Sequence, residues 1–414
     1  MDCLLPEVFD ALRSGHAADM RMVRPPADMG RTRPRATGKA VYGRDLPFHV
    51  DGQNFTVQWT DPGVDAARAA DILVQLEAAW TTLVAEGGWP APTSSDTWLL
   101  WVILDPELGG SGYTTVYATD EYPDGYPVTY LNPSYDAENP AFALSVAVHE
   151  FGHMLQYRLR DWELGRADAW YWEATSEWIA ERVAPDLDTY AESTFWYAQW
   201  PHARFDATER YHPYGMVLVN AWLDERAFGF DGVRDVWLAA DGNDRAWDAL
   251  LAEQAGDDFG GIVAAMAAEV AARTLREGAL YEAPVREAEH STAPVWETRA
   301  LPGLYGSYFI DVGEGAIVVE GQVHAAFVQD GALLDAAPAE GAYTAVLTAY
   351  GEEGELGYGT TPPADAEEEP GEAPVACGCA SVGAPAGGAV WVGLAGAVGA
   401  AARRRRLPRG RGAT

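Results

Sequence analysis

His149 and His153 stand four residues apart in VAVHEFGHMLQY, residues 146–157, with Glu150 directly after the first. On a helix, residues i and i+4 share a face, so both imidazoles can aim at one point, where a divalent metal ion can join them. Glu150 projects about 100° further round the helix, within reach of a water at the metal without being a ligand. HExxH on a helix therefore reads as zinc hydrolase chemistry. Zinc brings the pKa of a bound water down to about 7, and the glutamate takes the proton as the water attacks a carbonyl. Such a string also arises by chance, which leaves open that the two histidines merely share a helix. Context favours the metal. The preceding AFALSVAV is apolar and small, which buries the helix where the histidines begin, and buried imidazoles need partners.

Catalytic zinc usually takes three protein ligands and keeps a fourth position open. No third histidine follows at the metzincin spacing. The next helical stretch offers WYWEATSEW, in which Glu173 comes 20 residues after His153, enough for a helix end, a loop and an antiparallel return. Glu173 is the expected third ligand. Glu177, on the same helical face, is expected to hold the other ring nitrogen of a ligand histidine. The alternative for Glu177 is an ordinary surface carboxylate, and Glu181, one turn further, reads as one.

HEFGHMLQY followed by WEATSEW resembles the gluzincin metallopeptidases, whose pattern is HExxH on one helix and a glutamate ligand on the next. EATSEW resembles the Glu-Gly-Leu-Ala-Glu-Trp-like string that ends this segment in many of them. Glu173-x-x-x-Glu177 is similar to the thermolysin-like Glu-x-x-x-Asp, with a longer carboxylate in last place. The HExxH-x-x-Gln and Trp-x-Glu-Ala-Thr strings are similar to those of a group of myxobacterial surface metalloproteases. The resemblance covers roughly residues 95–350 and is concentrated in 146–183. It implies a zincin-like fold with one zinc ion per chain on His149, His153 and Glu173, Glu150 as general base, and a peptide or protein as substrate. It also implies a His or Tyr that stabilises the oxyanion. The candidates are Tyr211, His212 and Tyr214 in RYHPYGMVLVNAW; Tyr214 comes first because it opens a helix beside Gly215. The alternative for each is a core or surface aromatic. YPVTYLN is expected to be either an edge strand that pairs with an extended peptide or an ordinary strand.

The elements that must position these residues are legible in outline. Residues 1–45, rich in Arg and Pro, read as a poorly ordered lead-in. Residues 46–60 alternate as one or two strands. Ile72, Leu73, Leu76, Ala79, Trp80 and Leu83 recur at helical spacing until Gly87 and Gly88. TWLLWVILD is a continuous apolar run that fits a buried strand. TTVYATD and YPVTYLN add two more. Asn139-Pro140 starts a helix that carries HExxH to about Arg160, and residues 168–183 form the next. Helical patterns continue to about 276. Strands followed by helices predict an α+β class, with a zincin-like domain over 46–280. Short alternating runs between Gly-rich turns predict a small β domain over 290–350. Residues 351–376, rich in Glu, Pro and Gly, read as a solvated linker.

Residues 377–406 run CGCASVGAPAGGAVWVGLAGAVGAAARRRR. The apolar stretch before Arg403 is long enough to cross a bilayer as a transmembrane helix, and the Arg cluster would stay cytoplasmic. The tail is similar to the MYXO-CTERM sorting signal, which implies cleavage near the cysteines, lipid attachment at Cys377 or Cys379, and display at the cell surface, anchored in the outer membrane. The alternative is a low-complexity end. A secretory signal is not visible at the N-terminus, in conflict with the tail, and the tail carries more weight. The formal net charge of −34 argues against nucleic acid as a partner. Three cysteines, at 3, 377 and 379, exclude a disulfide scaffold. The expected function is a zinc-dependent endopeptidase at the cell surface. Its rivals are a zinc-containing surface protein that binds without turnover and a zinc hydrolase of a non-peptide amide.

Overall fold

Seven apolar residues, Trp98–Leu104, form strand β5, and both faces of it are covered, which is why the run does not alternate. Leu100, Val102 and Leu104 point into the main core, while Leu99 and Trp101 join Tyr126 and Val128 in a second cluster on the opposite face. The computed structural model describes residues 33–34, 40–41, 46–117, 125–134, 139–160, 169–187, 189–242 and 245–361. Strand β4 (Phe55–Trp59) lies parallel to β5 on one side and β7 (Tyr126–Leu131) parallel on the other, in the registers Trp59↔Leu104 and Leu104↔Leu131. Parallel neighbours need a crossover, and α1 (Ala66–Trp80) supplies it between β4 and β5. Strand β3 (Phe48–Asp51) closes one edge antiparallel to β4. Two short strands within the expected lead-in, β1 (Arg33–Pro34) and β2 (Ala40–Val41), attach to the first residues of β5. The rest of residues 1–45 lies outside the described residues.

Strand β6 (Gly112–Tyr117) is antiparallel to β7 and, like β1, lies at an edge among the described residues. Of the two readings of YPVTYLN, the ordinary strand holds and the edge strand does not: β7 is an interior strand, paired to both β5 and β6. Its Pro127 falls outside the β5 ladder, which begins at Val128, so the missing N–H interrupts nothing there.

Helix α2 (Pro140–Leu159) lies across β6 and β7, and α3 (Ala169–Val183) packs on α2. In α3 every residue from Ala169 to Glu181 is buried, the pattern of a helix surrounded on all sides. The surround consists of α4 (Tyr190–Gln199), α5 (His212–Gly215), α6 (Val217–Trp222) and α7 (Gly229–Ala240), with α8 (Trp247–Ala255) beyond. Glu181, expected at the surface, is therefore enclosed and 7% exposed.

Helix α9 (Phe259–Ala272) starts at Asp258, whose carboxylate caps the Gly261 N–H. It packs on a five-stranded sheet of order β13-β12-β14-β10-β8. These strands are β8 (Ala288–His290), β10 (Ser307–Val312), β12 (Val323–Gln329), β13 (Ala332–Leu334) and β14 (Tyr343–Ala349). Phe309, Val328 and Val346 face α9 and belong to the same core cluster as the helices. On the other face Ile310, Val312 and Leu347 meet Leu356 and Tyr358 of a three-stranded sheet, β11 (Val318–Glu320), β15 (Glu355–Gly359) and β9 (Glu297–Ala300). Strand β15 falls inside the stretch read as a linker from residue 351. Leu356 and Tyr358 give it an apolar face, and both are fully buried. The acidic run after it lies outside the described residues, as do Cys3, Cys377, Cys379 and the apolar tail. Among the described residues no helix is long and apolar enough to cross a membrane.

Candidate metal centre

Helix α2 presents His149 and His153 one turn apart, and α3 brings Glu173 against them. Gly152 permits this approach, because a Cβ there would sit 2.9 Å from Ser176 Oγ of α3. His149 Nε2 lies 3.1 Å from His153 Nε2 and 3.2 Å from Glu173 Oε2, and His153 Nε2 lies 3.5 Å from Glu173 Oε1. Ligands at 2.0–2.1 Å from one tetrahedral ion are about 3.3 Å from each other, so the three separations fit a shared cation. All three residues are buried.

Both ring nitrogens of His149 face carboxylates. His149 Nδ1 sits 2.9 Å from Glu177 Oε1. The approach is not in line, but facing a carboxylate it must carry the hydrogen. His149 Nε2 faces the Glu173 carboxylate at 3.2 Å, a contact that either an imidazolium hydrogen or a bound cation satisfies. Burial opposes protonation of His149, yet Glu173 and Glu177 outweigh it and hold its pKa well above the usual 6.5. Burial also opposes ionisation of Glu173, and the adjoining His153 and His149 nonetheless draw it down to about 2. The donor set of two imidazoles and a carboxylate fits a divalent transition ion.

Glu177 is buried, and Ser193 Oγ of α4 donates to its Oε2 at 2.8 Å. The surface-carboxylate alternative for it is thereby excluded. Glu150 is fully buried. Its carbonyl oxygen accepts from Thr114 Oγ1 of β6 at 2.9 Å, and Thr114 in turn meets Thr129 of β7. Burial raises the Tyr113 hydroxyl pKa, with the nearby Tyr130, Asp105 and Glu150 charges adding to the effect.

Of the three aromatic candidates on 211–214, Tyr214 reaches the centre: its ring stacks on His149 at 5.9 Å and 22°. Tyr211 is one residue further out, 6.1 Å from Tyr214 and 4.8 Å from Trp196. Arg210 and Tyr211 both adopt positive φ, 56° and 60°, a strained pair that turns the chain into α5. Gly215 lets α5 press on α4, since a Cβ there would meet the Tyr197 nitrogen at 2.3 Å. His212 is buried in the field of Asp206 and His202, and burial pushes its pKa down to about 4.

A histidine held neutral in the fold but protonated in the unfolded chain costs stability in acid. Between pH 6.5 and about 4 the unfolded state binds more protons, so stability rises with pH across that window. Urea unfolding at pH 7 and pH 4.5 should show His212→Gln losing about 2 to 3 kcal/mol less on acidification than the wild type. Equal losses would mean that His212 is not held neutral.

The spacing arguments did not single out Gln156, Ser176, Ser193 or Thr114. Gln156 was within their reach, because it lies three residues after His153 on the same face. Ser193 and Thr114 arrive from other elements and leave no local signal. A sequence family described as a family of unknown function (DUF6055) matches residues 54–250, a span that holds β4 to the start of α8 and every residue of the centre. No curated protein and no solved structure matches the chain.

Proposed function

We propose that the chain is a zinc-dependent endopeptidase of the gluzincin type, with a zincin-like arrangement of β6, α2 and α3. The observation that carries this reading is the convergence of His149 Nε2, His153 Nε2 and Glu173 on one point, with Glu150 next to the first ligand. Three protein ligands, none of them cysteine, match the catalytic rather than the structural class of zinc site. Bound zinc supplies Lewis-acid polarisation of a carbonyl and activation of a water. Glu150 accepts the proton of the attacking water and passes it to the amide nitrogen that leaves. Tyr214 donates its hydroxyl hydrogen to the oxygen on which charge develops. Glu177, held by Ser193, keeps the hydrogen of His149 on Nδ1. The edge of β6, rather than β7, offers main-chain groups to an extended peptide. Export and anchoring at the outer membrane through Cys377 or Cys379 belong to the same proposal, supported by the resemblance of residues 377–406 to a sorting signal.

One observation favours a zinc-containing surface protein without turnover: Glu150 and Glu173 are 0% exposed and His149 and His153 only 4% and 6%. Hydrolysis decides between the two. The purified protein should contain about one zinc per chain and cut members of a peptide library. A strong chelator should abolish cleavage, and added zinc should restore it. Tightly held zinc with no peptide cut would favour the binding protein, or a hydrolase of a non-peptide amide.

A further inference from the structure

Gln156 is fully buried on α2, three residues after His153. Its Nε2 donates to the Trp172 carbonyl oxygen at 3.0 Å, and its Oε1 lies 2.7 Å from His153 Nδ1. A carbonyl oxygen only accepts, so the NH2 end of the amide must face Trp172. The Oε1 end, an acceptor, then faces His153, and His153 Nδ1 must carry its hydrogen. In the neutral ring Nε2 is then the unprotonated nitrogen, turned toward His149 and Glu173. Ser176 Oγ lies 3.2 Å from the same Nδ1, but a hydroxyl can donate or accept and selects nothing by itself. The carbonyl at the end of this chain of bonds belongs to the peptide that joins Trp172 to Glu173. One side chain therefore governs a ligand on α2 and grips the backbone beside a ligand on α3.

We propose that Gln156 is a positioning residue that selects the metal-binding tautomer of His153 and ties it to the main chain at Glu173. The two helices thereby present their ligands as one unit. The inference rests on the metal reading of the centre and needs no turnover. It also separates the two histidines. His149 is backed by the carboxylate of Glu177, whereas His153 is backed by a neutral amide whose orientation the backbone dictates. A terminal amide accepts from the imidazole through its oxygen and donates to a carbonyl through its nitrogen, so the two bonds together fix its orientation.

The test uses the full chain labelled with 15N-histidine, the His153 signal being assigned by its loss in His153→Gln. In the metal-free wild type His153 should carry its hydrogen on Nδ1. Gln156→Met keeps the side-chain length and removes both hydrogen bonds. It should move His153 toward the Nε2–H form and weaken zinc binding roughly 10 to 100-fold, read by competition with a chromophoric chelator. Gln156→Glu keeps the acceptor and should retain the wild-type tautomer. An Nε2–H form in the wild type overturns the proposal whatever the variants do, as does a folded Gln156→Met protein that binds zinc within about twofold of wild type. None of these readouts requires hydrolysis. A protein that binds zinc but cuts nothing would sink the peptidase reading and leave this one standing.

Discussion

Glu150→Gln should lower peptide hydrolysis by roughly 10² to 10⁴-fold while leaving about one zinc per chain in place. Glutamine has the size of glutamate and fills the same fully buried position on α2. It cannot accept a proton at working pH, so it removes the general base and little else. Metal content should hold, because the atoms placed to hold a cation belong to His149, His153 and Glu173. The backbone carbonyl of residue 150, which accepts from Thr114, is untouched by the change. The measurement is hydrolysis of the best library peptide beside zinc analysis of the same sample. Activity within about tenfold of wild type would remove Glu150 from the chemistry. Loss of zinc together with activity would make it a structural support of the centre.

Trp237→Ala should destabilise the protein by about 3 to 5 kcal/mol, the range for deleting a large buried aromatic. Trp237 is 0% exposed. Its ring lies 4.5 Å from Trp247 and 5.7 Å from Tyr171, and meets Trp172 edge-on at 5.3 Å. Its Nε1 donates to Thr175 Oγ1 at 3.2 Å. The residues it supports, Tyr171, Trp172 and Thr175, flank Glu173 on α3, so the cavity would open directly behind Glu173. Urea unfolding followed by tryptophan fluorescence and circular dichroism measures the loss. Trp237→Phe, which retains a ring, should cost less than the alanine. A cost below about 1 kcal/mol for Trp237→Ala would mean that this aromatic cluster does not brace α3.

The same helix shows where reading along the chain succeeds. Glu173 and Glu177 were placed on one face of the helix, and both meet His149, because one helical turn is a local property, set by 3.6 residues of backbone geometry. Glu181 obeys the same periodicity, yet its surface assignment failed. Its burial depends on α4, α5 and α6 wrapping α3, and nothing in WEATSEW encodes the position of those helices. Strands behaved likewise. The apolar run at Trp98–Leu104 announced a strand covered on both faces, but the choice between β6 and β7 as edge rests on pairing with β5, a partner remote in sequence. Strand β15 was hidden because Leu356 and Tyr358 are only two apolar residues in an acidic stretch; the three-stranded sheet makes them core.

By itself, then, the sequence determined the set His149, His153 and Glu173 that could hold a metal, with Glu150 beside it, the helices that carry it, and the mixture of strands and helices. These follow from spacing and hydrophobic period within single elements. Tertiary structure alone decided that the two Nε2 atoms and the Glu173 carboxylate meet within 3.5 Å, that Ser193 holds Glu177, and that Tyr214 rather than His212 faces His149. The reason is physical. Ångström separations between side chains on different elements are set by how closely those elements pack, here by Gly152 admitting α3 against α2 and Gly215 admitting α5 against α4.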